Sequence, residues 1–218
     1  MKLTERTTVV LTGFGSFPGI TRNASIPVIE GLASIARDAY PTIDFVSDIL
    51  PVDWQEAPRR IDDLISAHNP VLALHFGVSN RTSGFVIEEV AYNEAHTHAD
   101  ARGSLHSTSP LVPGGRPSRK TTLPARTILQ TLKRAGLPAA LSRDPGRYLC
   151  NAVMYKSLCH ARTRKPHLRS GFIHIPATLD PAAEGEPTRL DRHHAIVGAG
   201  LILRACLAPL HGGQHHLS

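Results

Sequence analysis

Two short stretches of this chain carry residue types able to do covalent chemistry. Cys150 stands in Asp144-Pro145-Gly146-Arg147-Tyr148-Leu149-Cys150-Asn151, and His174 in the apolar run Gly171-Phe172-Ile173-His174-Ile175-Pro176. The first reads as a turn opening a helix at the cysteine, where unpaired backbone N–H groups and the helix dipole favour a thiolate over a thiol. The second reads as a buried strand ending at Pro176, and a histidine there must find partners for its ring nitrogens. A right-handed crossover from helix to strand brings the helix N-terminus and the strand's C-terminal end to one sheet edge. A nucleophile beside a base suggests a Cys/His hydrolase. The residue types alone leave a structural role open, because a lone cysteine is usually a small buried apolar residue and Cys/His spacing does not transfer between peptidase families.

The elements that must position these residues follow from pattern. Thr8 to Gly13 is a β-branched apolar run closed by glycine, as in a central parallel strand. Ala24 to Ala36 has helical spacing, and Phe45 to Leu50 predicts a second strand. Asp53 is placed to cap a helix whose Trp54, Ala57, Ile61, Leu64 and Ile65 share a face. Val71 to Phe76 and Phe85 to Tyr92 predict two more strands, the latter able to run antiparallel. A helix opens at Leu123-Pro124, a short strand covers Ala139 to Leu141, and a last helix covers about 190–207. This alternation predicts a three-layer α/β/α sandwich around a mainly parallel twisted sheet, one domain over 1–218. Two segments break the pattern: an aperiodic excursion over about 94–122, rich in His, Ser, Pro and Gly, and a flexible tail over about 209–218.

Composition narrows the class. The 218 residues, 41% hydrophobic and 19% charged, suffice for one substantial core. Cys150, Cys159 and Cys206 form no paired framework and the first residues are polar, which predicts a cytoplasmic protein with free thiols. The most apolar late segment, Ala195 to Leu210, is interrupted by Gly198, Gly200, Arg204 and Pro209, so no membrane span is expected. A net charge of +6 and a pI near 9.6 invite nucleic acid. The basic residues cluster, with Asp144 the one acid between Arg102 and Arg169. Only 5% of the residues are aromatic and no RNA-binding motif is present, so nucleic acid is not an expected partner.

In such a sheet, ligands bind beyond the carboxyl ends of the strands. Gly13-Phe14-Gly15-Ser16-Phe17 and Gly77-Val78-Ser79-Asn80 project there. The first is a poor dinucleotide fingerprint, because its third glycine is displaced and Phe14 and Phe17 obstruct close backbone approach to a pyrophosphate. The two rings suit the walls of a slot for a small flat ligand, and serve equally as core anchors for the loop.

Val9 to Phe17 with Asn23-Ala24-Ser25, Leu50-Pro51-Val52, His75-Phe76-Gly77-Val78-Ser79, Glu88 with Asn93, Asp144 to Asn151, and Gly171 to Pro176 together resemble the pyroglutamyl peptidase I family, in order and over nearly the whole chain. The resemblance implies a cysteine peptidase that removes an N-terminal pyroglutamyl residue from peptides, needs no cofactor, and uses Cys150 as nucleophile, His174 as general base and acid, and Glu88 as the carboxylate. Glu88 keeps the family's spacing to Asn93, whereas Glu89 stands where relatives often carry Lys or Arg. Phe14, Phe17 and Tyr148 match positions near the lactam ring, main-chain groups near Val78 would bond its amide, and Asn23 takes the place of the loop asparagine. Ser16 replaces a proline common in relatives. The resemblance also implies a homo-oligomer, bacterial-type relatives often being tetramers.

Two other classes compete. His96, His98 and Asp100 alternate as three metal ligands on one side of a strand would, which suits a metal-dependent hydrolase. They lie in the aperiodic excursion, which favours a solvated loop, and the tail's His211, His215 and His216 read the same way. A catalytically altered relative acting as a basic binding module would leave Cys150 dispensable.

Overall fold

A computed structural model describes residues 6–17, 19, 22–106, 110–161, 167–179 and 190–211. Thr7–Phe14 (β1) is followed by Ser25–Ala39 (α1), Ile43–Leu50 (β2), Glu56–His68 (α2) and Leu72–Ser79 (β3). Next come Phe85–Glu88 (β4), Val90–Tyr92 (β5), Ser118–Lys120 (β6), Ala125–Arg134 (α3) and Ala139–Ser142 (β7). Leu149–Cys159 (α4), Arg169–Pro176 (β8) and Arg192–His211 (α5) complete the order.

The main sheet runs β2-β1-β3-β8-β4-β7. The first four strands are mutually parallel, while β4 lies antiparallel to β8 and parallel to β7. Alternate residues serve the two faces, so each fully covered strand reads as a continuous apolar run. Val9, Leu11, Leu72, Leu74, Phe76, Ile173 and Ile175 pack under α1, α3 and α5. Val10, Phe14, Ala73 and Phe172 face α2 and α4. The chain is therefore the expected three-layer α/β sandwich.

Several expectations move. Phe85 to Tyr92 is two strands in two sheets: β4 joins β8, and after Glu89 the chain turns to pair β5 with β6. The excursion over 94–122 therefore contains a strand, β6. Asp53 caps from three residues ahead of α2, its Oδ1 accepting from the N–H of Gln55 and Glu56 at 2.9 and 2.7 Å, so that Trp54 precedes the helix. The last helix continues to His211, past the expected start of the tail at 209, while 212–218 with His215 and His216 lie outside the described residues. Among the described residues, no helix is long and apolar enough to cross a membrane.

Candidate active site

The glutamate, cysteine and histidine are placed by three different elements. Glu88 ends β4 and is paired with Phe172, which puts its side chain on the α4 face of the sheet. His174 lies two residues further along β8, on that same face. Its Nδ1 donates to Glu88 Oε1 at 2.8 Å, with Glu88 2% and His174 7% exposed. The imidazole is also hydrogen-bonded to Cys150, which opens α4. Burial is the largest influence on this imidazole and pushes its pKa down; the charge and hydrogen bond of Cys150, then those of Glu88, outweigh it and raise the pKa from 6.5 to about 10. Glu88 Oε2 is buried without a hydrogen-bond partner.

The turn before α4 is held by Asp144, whose Oδ1 accepts from the Gly146 N–H at 3.2 Å, and by Gly146 itself at φ 77°, where a side chain would be strained. Arg147 donates to Glu94 at 2.7 Å and to Asp144 at 2.9 Å, and its guanidinium lies 3.8 Å from the Tyr92 ring centroid. Asn151 then clamps the start of α4 to β5: Oδ1 accepts from the Tyr92 N–H at 2.8 Å, and Nδ2 donates to the carbonyls of Tyr92 and Glu94. Beneath the cysteine is Gly77 of β3. A Cβ there would lie 3.0 Å from Cys150 Sγ and 2.7 Å from the Phe172 ring, so only glycine lets the helix start settle on the strand.

The residues expected to line a slot divide into rings and braces. Phe14 is 4% exposed with its ring 6.3 Å from that of Phe172, which in turn lies 4.9 Å from His174. Phe17 is half-buried against the same cluster. Tyr148 sits at the N-cap of α4, its ring edge-on to Trp54 at 5.2 Å and its hydroxyl donating to the Ala99 carbonyl at 3.0 Å. Burial, then the charges of Asp100 and Cys150, push its phenol up to about 12. Val78 turns its side chain to the opposite face, leaving only its main chain toward this edge. Asn23 is buried and committed to the loop: Nδ2 donates to the Gly15 carbonyl at 3.0 Å, and Oδ1 accepts from the N–H and hydroxyl of Ser25. Ser25 Oγ in turn accepts from the Phe14 N–H at 2.9 Å.

The histidine-rich excursion does not form the metal triplet considered above. Residues 94–100 are not a strand, His96 and His98 stack with ring centroids 5.8 Å apart, and the Asp100 carboxylate accepts from the N–H groups of Trp54, Arg102 and Ser104. Among the described residues, no group of three His, Cys, Asp or Glu is placed to hold a metal. The excursion instead lies against the start of α4. Trp54 Nε1 donates to the His98 carbonyl at 2.9 Å and the His96 N–H to the Arg147 carbonyl at 2.8 Å. Asn93 also pairs in both directions with the main chain of Val112. Trp54 and Asn151 were missed as site residues in the sequence. A tryptophan at the head of an amphipathic helix reads as core, and an asparagine after a cysteine carries no pattern of its own.

A cysteine at a helix start, bonded to an imidazole that a buried carboxylate holds, is the arrangement of cysteine-type hydrolases. The pyroglutamyl peptidase family model matches residues 7–189. A pyrrolidone-carboxylate peptidase of Pyrococcus furiosus is 34% identical over 170 residues, covering 77% of this chain and 80% of that one. Its counterpart from Vibrio vulnificus is 28% identical over 208 residues, covering 95% and 96%. The crystal structure of Bacillus amyloliquefaciens pyroglutamyl peptidase I superposes with a TM-score of 0.82 at 26% identity, over 93% of this chain and 97% of that one. The chain belongs to the pyroglutamyl peptidase family.

Proposed function

We propose that this chain hydrolyses the bond after an N-terminal pyroglutamyl residue, with Cys150, His174 and Glu88 as its catalytic triad. The observation that carries the reading is the hydrogen-bonded series from Glu88 through His174 to Cys150 at the start of α4, in a chain of this family. The Cys150 sulfur attacks the pyroglutamyl carbonyl as His174 holds the thiol proton. The tetrahedral oxyanion is received by free N–H groups of the first turn of α4. Collapse breaks the C–N bond, and His174 gives its proton to the departing amine, leaving a thioester on Cys150. Water, deprotonated by His174, then hydrolyses the thioester and releases pyroglutamate. Glu88 keeps the Nδ1–H tautomer and stabilises the imidazolium, as the third member does in other triads.

The lactam ring carries no charge, so an apolar slot between Phe14, Phe17 and Tyr148 suits it, with main-chain groups near Val78 for its amide. Asn23 serves the slot by holding the Phe14 to Phe17 loop. The triad and slot need no cofactor. The free thiols fit a reducing cytoplasm, where we place the protein. The test is release of a fluorogenic amine from its pyroglutamyl conjugate, with and without prior thiol alkylation. Release that alkylation abolishes supports the reading; no release, or release insensitive to alkylation, rejects it.

A further inference from the structure

Behind the site runs a second polar series. Thr12 Oγ1 is 2.8 Å from His75 Nδ1, His75 Nε2 is 2.9 Å from Ser157 Oγ, and Ser157 Oγ is 2.7 Å from Ser170 Oγ. All four residues are 0% exposed. The series joins β1, β3, α4 and β8, and Ser157 lies two turns along α4 from Cys150, on the same face. His75 and Gly77 occupy alternate positions of β3. Hence α4 touches the strand twice, Cys150 against Gly77 and Ser157 against His75.

Most of α4 is buried, with Ala152, Val153, Met154, Tyr155 and Leu158 in the core. Apolar contact is non-directional, so it resists withdrawal of such a helix more strongly than sliding along its axis. Hydrogen bonds are directional and fix one register. A rigid ring with a nitrogen at each end is a strut of fixed length between the two layers. Burial lowers the His75 pKa to about 3, which keeps the ring neutral and its bonds unchanged at any working pH.

We infer that His75 is a positioning residue: bridging Thr12 to Ser157, it sets the axial register of α4 and so holds the Cys150 sulfur at the His174 imidazole. The inference rests on the triad reading above, since it needs a reacting pair whose geometry matters. A misplacement of about 1 Å can cost about 100-fold in rate, whereas loss of a merely structural contact changes stability and leaves turnover alone.

The experiment compares His75→Phe, which keeps a ring and loses both bonds, with His75→Gln, which keeps polar ends, and Ser157→Ala. Leu132→Ala, a core truncation on the opposite face, serves as a control for lost stability. Two rates are read well below each Tm: turnover of a pyroglutamyl reporter, and alkylation of Cys150 by chloroacetamide followed by peptide mass. The expected result for His75→Phe and Ser157→Ala is a fall of about 10-fold or more in kcat, with KM within about twofold and alkylation slowed in parallel. His75→Gln should recover part of both rates, and Leu132→Ala should lower Tm with both rates intact. Variants that lose Tm but keep kcat and alkylation within about twofold of the parent overturn the inference, as does a rise in KM at constant kcat. If His75→Phe fails to fold, His75→Gln and Ser157→Ala decide by the same criteria. Alkylation needs no substrate, so it tests the strut even if the pyroglutamyl reporter is not cleaved, an outcome that would reject the proposed activity alone.

Discussion

Glu88 and Glu89 are adjacent in the chain, yet the first closes β4 and the second stands at the turn into β5, so their carboxylates have different surroundings. Glu88 meets His174, whereas Glu89 lines a cavity of about 530 Å³ with Lys120, Arg126 and Arg143 at the start of α3. Glu88→Gln is therefore expected to lower kcat by about 100-fold or more, as befits a partner in general acid–base catalysis, while Glu89→Gln stays within about twofold of the parent. Steady-state kinetics of the two variants check this, and the reverse order would mean that the wrong acid serves His174. The imidazole offers a second check. Cys150 contributes the strongest of the influences raising the His174 pKa, and burial opposes them, so Cys150→Ala must move that pKa down from about 10. NMR titration of the His174 ring in the two proteins reads the shift, and an unchanged or higher value in Cys150→Ala would separate the sulfur from the imidazole. At this scale the sequence was legible where a residue type has few uses, as with Cys150. Asn151 and Asn93 stand in the family motifs, yet what their amides bond, main chain that only the fold brings near, was not legible.

At the scale of elements, the strand and helix order was readable because strands covered on both faces are continuous apolar runs and the helices between them are amphipathic. The division of 85–92 was not. Phe85, Ile87, Val90 and Ala91 are all buried, so hydrophobicity shows no seam at Glu89, and the turn is fixed by partners distant in sequence, Ser142 and Thr121, which share its main-chain N–H and C=O. The close fit of α4 on β3 was also out of reach, because a glycine in a strand does not announce which atom approaches it. Gly77→Ala puts a methyl 2.7 Å from the Phe172 ring, closer than packed atoms come, and 3.0 Å from Cys150 Sγ, which would have to give by a few tenths of an ångström. The expected result is a loss of about 10-fold or more in kcat and a lower Tm, measured by reporter kinetics and thermal unfolding. Parental kinetics would show that α4 has slack over β3.

Across the whole molecule, the excursion that composition marks as irregular is tied into the site's surroundings, bonded to Trp54, Arg147 and Tyr148 at the mouth of α4. Its ordering comes from long-range main-chain bonds and from the Asp100 carboxylate, none of which leaves a periodic trace. Of the basic run, Arg119 is half-buried with its guanidinium over the Tyr155 ring at 5.5 Å, whereas Arg116, Lys120, Lys133 and Arg134 are exposed. The proposed slot draws on distant parts of the chain, which shapes its test. Phe14 is a core residue, and Phe14→Ala combines lost ring contact with a cavity costing about 3–5 kcal/mol of stability. The half-buried Phe17 is the cleaner probe, and Phe17→Ala should raise KM for a pyroglutamyl reporter several-fold with Tm little changed. Glutamyl and prolyl conjugates of the same amine should be poor substrates for the native protein. The glutamyl ammonium would have to be desolvated without a partner, and proline lacks the lactam oxygen. Equal cleavage of the glutamyl conjugate would replace the uncharged slot with a site of different specificity.

The proposed reaction puts the acyl group on Cys150, and pyroglutamyl reporter turnover by Cys150→Ala, prepared beside the native protein and matched to it by circular dichroism and Tm, decides whether it does. Loss of the covalent path predicts a fall of several orders of magnitude in kcat with the fold retained. Retention of more than about a tenth of the native activity by a folded Cys150→Ala would rule out Cys150 as the nucleophile.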